Sequence, residues 1–130
     1  MRSVSQMLAA LEPHLLPDDF VFCCLPNASL QDVVDAAPIA TFVEPEGLTA
    51  VLPRKRALQA GLEPGESFCC ITLGLSSGLD EIGLTAAVSA ALAEQGISAN
   101  VIAAYHHDHV FVPSARAEEA LQVLQGLAKT

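Results

Sequence analysis

Two stretches of the chain, Phe22-Cys23-Cys24-Leu25 and Phe68-Cys69-Cys70-Ile71, read as one apolar strand written twice. The echo continues downstream. Gly47-Leu48-Thr49-Ala50-Val51-Leu52-Pro53 is an apolar run closed by proline and followed by Arg54-Lys55-Arg56-Ala57. Asp108-His109-Val110-Phe111-Val112-Pro113 closes the same way and is followed by Ser114-Ala115-Arg116-Ala117. A chain built from two copies of one small unit sets a seam between them, and such seams commonly hold a small ligand or a partner.

The pattern inside each copy narrows the fold. Leu8, Leu11 and Leu15 predict a short amphipathic helix over 5–16, disturbed by Pro13 and Pro17. Residues 20–25 then predict a strand, and Ser29 with Asp32 caps a brief helix over 30–37 that Pro38 ends. Residues 39–43 and 48–52 predict two strands around the turn Glu44-Pro45-Glu46-Gly47. Pro53 opens a helix through Leu58, with Gly61 at its end.

After the linker Glu63-Pro64-Gly65-Glu66 the pattern restarts. Residues 68–75 predict a strand with Cys69, Ile71, Leu73 and Leu75 on one face. Past Ser76-Ser77-Gly78, a helix over 80–95 presents Ile82, Leu84, Val88, Ala91 and Leu92, with Ser77 and Asp80 at capping-box spacing. A strand over 97–105, a turn at His106-His107-Asp108, a strand over 109–112 and a helix from Pro113 complete the copy. Each half therefore runs strand, helix, strand, strand, helix, which predicts an α+β, ferredoxin-like fold with antiparallel sheets. The repeats divide as 1–64, with the extra N-terminal helix and a short first helix, and 65–130. Phe22 to Pro53 is 31 positions and Phe68 to Pro113 is 45, so the second copy carries a full first helix where the first has a stub.

With 52% apolar residues, 130 residues suffice for a substantial core. A net charge of −9 argues against nucleic acid and against an anionic membrane surface. No stretch approaches the roughly 18 consecutive apolar residues of a membrane span, and no signal peptide is evident, so the expected location is cytoplasmic. The four cysteines form two vicinal pairs without the C-x-x-C spacing of zinc or redox motifs. Adjacent strand residues face opposite ways, so the cysteines read as free thiols used as small hydrophobes.

Within the ferredoxin-like group the second half resembles an ACT domain. The resemblance is carried by Ile71-Thr72-Leu73-Gly74-Leu75, Gly83-Leu84-Thr85-Ala86-Ala87-Val88, Ala91-Leu92-Ala93-Glu94-Gln95-Gly96-Ile97-Ser98 and the hairpin from Tyr105 to Pro113. The whole chain resembles small bacterial tandem ACT proteins, whose second repeat is similar to that of the CASTOR-type arginine sensors. The resemblance implies a regulatory or sensor protein without catalytic activity or cofactor. Its expected ligand is an amino acid or related metabolite held between the repeats, and its expected assembly is a homodimer. The implied ligand residues are Ser76, Ser77, Gly78, Glu81, Ile82 and Gly83, with Asn100, Val101 and Ile102 as the other wall and Asp108 in the hairpin turn. The first repeat departs from the pattern, because its loop Leu25-Pro26-Asn27-Ala28 lacks glycine.

The physics of the loop points the same way. Orphan backbone N–H groups at a helix start favour a carboxylate. Gly78 and Gly83 let the backbone approach closely, and Glu81 or Asp108 suits an ammonium or a basic side chain. Two other classes stay open: a ligand-free dimerisation or docking module that pairs strand edges, and a metal-binding protein built on His106, His107, Asp108 and His109. Strand alternation puts His107 and His109 on one face and His106 with Asp108 on the other. No activated nucleophile is evident, since Ser76-Ser77-Gly78 is not a nucleophile elbow.

Overall fold

The computed structural model describes residues 2–129. Its elements are α1 (Val4–Ala9), β1 (Pro13–Leu25), α2 (Leu30–Val33), β2 (Ala40–Glu44), β3 (Gly47–Pro53), α3 (Arg54–Gln59), β4 (Phe68–Leu73), α4 (Leu84–Glu94), β5 (Asn100–Ala103), β6 (Asp108–Pro113) and α5 (Ala117–Leu127), with 3-10 turns at Val34–Ala36 and Ser114–Arg116. From β1 onward the order strand, helix, strand, strand, helix occurs twice. The strands follow the order β2-β3-β1-β4-β6-β5, with antiparallel registers for β1–β3, β2–β3 and β5–β6. The fold is α+β and ferredoxin-like.

Packing divides the chain into two compact units. One comprises Asp18–Phe68, and the other joins the N-terminal residues through Pro17 to Cys69 and everything after it. Packing units and repeats are thus drawn along different lines, because β1 is 13 residues long and contributes to both units. In the Asp18–Phe68 unit, Leu52 and Val21 meet Ala50 and Ala57 in a small core. Phe22 and Phe68 meet edge to face with centroids 5.3 Å apart, a favoured aromatic geometry.

The other unit holds the larger core. Cys69, Ile71, Leu73 and Leu75 supply one wall, as strand alternation predicts, with Val110 and Val112 from β6. Leu84, Val88 and Leu92, spaced by four along α4, cover them with Ala117, Ala120 and Leu124 of α5. Met7 and Leu11 are fully buried in the same core. Arg116 ties the end of α4 to the start of α5, donating 2.9 Å to the Gln95 carbonyl and 3.2 Å to that of Gly96 while pairing with Glu119 at 2.8 Å. A cation at a helix C-terminus satisfies carbonyls that have no intrahelical partner.

Several boundaries differ from the sequence expectation, among them β1 starting at Pro13, β4 ending at Leu73 and α5 starting at Ala117. The first helix is Val4–Ala9 rather than 5–16: Ser3 and Gln6 form a capping box, Glu12 turns left-handed at φ 48°, and Pro13 begins the strand. The helix of the second repeat starts at Leu84 rather than 80, because Gly83 takes the N-cap at φ 101°. The predicted Ser77–Asp80 capping box therefore does not form, and Ile82 is 75% exposed outside the helix. The strand expected over 97–105 contracts to Asn100–Ala103.

Candidate functional site

The segment between β4 and α4 is held by the chain's N-terminal residues. Gly74 N–H donates 2.8 Å to the Glu12 carbonyl, and Leu75 N–H donates 3.2 Å to that of Leu11. A Cβ at position 74 would lie 2.9 Å from the Glu12 carbonyl oxygen, so a side chain there would push the two backbones apart. Further on, Arg2 Nη2 donates 2.8 Å to the Ser76 carbonyl and 3.0 Å to Glu81 Oε1. Gly78 N–H reaches the same carboxylate oxygen at 3.4 Å. The hydrogen bond from Arg2 holds the Glu81 carboxyl below the usual carboxylate range, against the opposing effect of burial.

The second Glu81 oxygen, Oε2, is buried and has no hydrogen-bond partner among the described residues. Glu81 lines a cavity of about 70 Å³ together with Ser77, Gly78, Leu84, Thr85 and Asp108. Asp108 is 9% exposed. Burial pushes its pKa up, while His109 opposes the shift. Two carboxylates, one of them with a buried oxygen that lacks a partner among the described residues, thus line one small cavity. Groups in that condition call for a donor that carries positive charge.

Beside it, a wider depression of about 410 Å³ runs from Ser76, Ser77 and Gly78 to Tyr105 and His106. Of the residues expected at the site, Ser77, Gly78, Glu81 and Asp108 share the small cavity, and Ser76 joins Ser77 and Gly78 in the wider one. Gly83 lies against Val4 instead. Asn100, Val101 and Ile102 lie on β5 and line neither cavity, while the next residue, Ala103, lines the small one. Leu79, Asp80, Thr85, Tyr105 and Arg2 were missed by the sequence reading. Leu79 and Asp80 sit next to expected site residues in the chain, but nothing local announces Arg2.

The corresponding loop of the first repeat is different. Leu25, Pro26, Asn27 and Ala28 border a shallow depression whose one carboxylate, Asp32, accepts 2.8 Å from Ser29 N–H in its own helix cap. That acid is already satisfied locally.

The histidines do not converge. His106 meets Tyr105 edge to face at 4.9 Å, His107 Nδ1 is 3.3 Å from the Leu75 carbonyl, and His109 Nδ1 is 2.9 Å from Thr72 Oγ1. A carbonyl can only accept, so His107 Nδ1 carries the proton in that contact. Among the described residues no group of three or more His, Cys, Asp or Glu side chains is placed to hold a metal ion. Burial makes two of the thiols poor nucleophiles, pushing Cys70 up to about 11 and raising Cys23 as well. No helix among the described residues is long and apolar enough to cross a membrane.

Comparison with known proteins fits this architecture. A solved protein of unknown function from Vibrio cholerae, described as a possible transport protein, is 52% identical, with 92% of each chain covered and a TM-score of 0.84. A protein from Agrobacterium tumefaciens shares the fold at 20% identity, over 91% of this chain and 89% of that one, with a TM-score of 0.72. The ligand-free regulatory subunit of aspartate kinase from Thermus thermophilus shares it at 14% identity, over 91% and 97%, with a TM-score of 0.65. No curated protein matches the chain. The family model described as ACT domain matches residues 1–70 and a second model of that description matches 65–126, so the chain belongs to the ACT domain family and carries two such domains in tandem.

Proposed function

We propose that this protein is a regulatory, amino-acid-sensing module whose ligand binds against the 74–83 segment and β6, with no reaction of its own. One observation carries the reading: two carboxylates, Asp108 and Glu81, line the same small cavity, and Glu81 Oε2 is buried with no hydrogen-bond partner among the described residues. An α-ammonium group supplies three donors and a positive charge to that place. The wider depression beside Ser76, Ser77 and Tyr105 then takes the rest of the molecule. The fold shared with a regulatory subunit of aspartate kinase is consistent with a sensing role. Four free cysteines suit a reducing compartment, and the cytoplasm is the proposed location.

Thermal shift against the twenty amino acids tests this. A ligand at 100 times its Kd stabilises by about 2.7 kcal/mol, and D108N abolishes the shift. If no amino acid moves the midpoint, the reading fails.

A second reading has its own support. The outermost strand β2 exposes Phe42 at 71% and Val43 at 74%, and an apolar edge strand is a template for pairing. On this reading two copies join along β2 as a homodimer. Sedimentation across a dilution series tests it, and a monomer at every concentration excludes it.

A further inference from the structure

The N-terminal segment brackets the ligand loop. Glu12 and Leu11 hold residues 74 and 75 at one end, Val4 covers Gly83 at the other, and Arg2 spans the middle through Ser76 and Glu81. Its anchor is firm, since Met7 and Leu11 are fully buried in the core. Arg2 itself is 40% exposed and so remains displaceable, while its partner Glu81 is 16% exposed. The guanidinium meets Ser76 and Glu81 through Nη2 alone, so the pairing is not a two-pronged clamp.

We propose that Arg2 is a specificity-determining residue of the site: its guanidinium is a built-in cation seated on Glu81, and a ligand with a positively charged side chain must displace it. This inference rests on the reading of the 74–83 segment as a ligand site. Asp108 lines the same cavity and is not among the contacts of Arg2, so the α-ammonium of any amino acid is accepted there whether or not Arg2 is seated. A second cationic group, an ammonium or guanidinium on a side chain, competes with Arg2 for Oε1. The competitor is part of the same chain, so it lowers the apparent affinity for basic ligands by the fraction of molecules in which it is seated. It leaves neutral amino acids unaffected. Releasing Arg2 also frees the start of the segment from the loop, so basic and neutral ligands leave the N-terminus in different states.

Calorimetric titration of wild type, R2A, R2Q and the double variant R2A/E81Q with L-arginine and L-alanine tests the proposal. Thermal midpoints confirm that each variant is folded. Removing Arg2 is expected to tighten L-arginine by roughly twofold to fivefold, leave L-alanine unchanged, and lose that gain when Glu81 is also removed. If R2A and R2Q bind L-arginine no more tightly than wild type, the proposal is overturned. In that case the site reading stands as long as some neutral amino acid still binds and is lost in D108N. If no amino acid binds any of the proteins, both readings fall together.

Discussion

A Cβ built on Gly83 falls 2.5 Å from Val4 Cγ2, so the first helix of the chain sits on the N-cap of α4 with no room for a side chain between them. Gly83 also holds φ 101°, a conformation that side-chain-bearing residues rarely adopt. Gly83→Ala is therefore expected to destabilise by about 2–4 kcal/mol in urea denaturation, from backbone strain and steric overlap together. Adding Val4→Ala should recover the overlap part and leave the strain. Full recovery would show that the conformation at Gly83 costs nothing.

Asp108 makes stability depend on pH in a definite sense. Burial raises its folded-state pKa. Its contribution is thus fully present below the unfolded carboxylate pKa of about 4 and is lost as pH rises through the folded value. Asp108→Asn removes the titration. The variant should be more stable than wild type at pH 7 by about 1 kcal/mol, with the difference vanishing near pH 3. Thermal melts at both pH values check this, and a variant less stable at pH 7 would mean that the carboxylate is satisfied.

The four thiols should separate by accessibility. Cys24 is exposed, Cys23 is partly covered and raised in pKa, and Cys69 and Cys70 are buried, with Cys70 pushed up to about 11. Alkylation of the native protein at pH 8, followed by mass spectrometry, should label Cys24 first and leave Cys69 and Cys70 unmodified until the chain is unfolded. Early labelling of Cys70 would contradict the packing of β4.

Core and edge positions should respond very differently to truncation. Leu92 is fully buried against β4 and β6, so Leu92→Ala should cost about 2–5 kcal/mol. Phe42 is 71% exposed on β2, and Phe42→Ala should change the stability of a monomer by less than about 0.5 kcal/mol. A much larger loss at Phe42 that grows with protein concentration would instead place it in an interface between copies.

What the sequence revealed was mostly what short-range patterns encode. The doubled Phe-Cys-Cys strand, the alternation at Cys69, Ile71, Leu73 and Leu75, and the Ser29–Asp32 cap all depend on neighbours within a few positions. Failures came where a distant partner decided the outcome. Asp80 and Glu81 look like the first turn of a helix, yet Arg2, 79 positions before Glu81, holds that carboxylate in the loop. His14, Leu15 and Leu16 look like the end of an amphipathic helix, but lie in a strand begun by Pro13. The acidic pair at the cavity was nameable residue by residue. Its shared geometry was not, because Asp108 reaches the cavity through a hairpin on another strand.

The joining of residues up to Pro17 with those from Cys69 onward has a consequence for the order of assembly. As the chain leaves the ribosome, residues 18–68 complete their own unit early, since every strand and helix of that core is already present. Met7 and Leu11 emerge first and are buried last, because the surfaces that cover them include α4 and α5. For most of synthesis the oldest part of the chain is therefore its least protected. An N-terminal fusion that slows the return of this segment would prolong that exposure, whereas one at the other end would leave it unchanged.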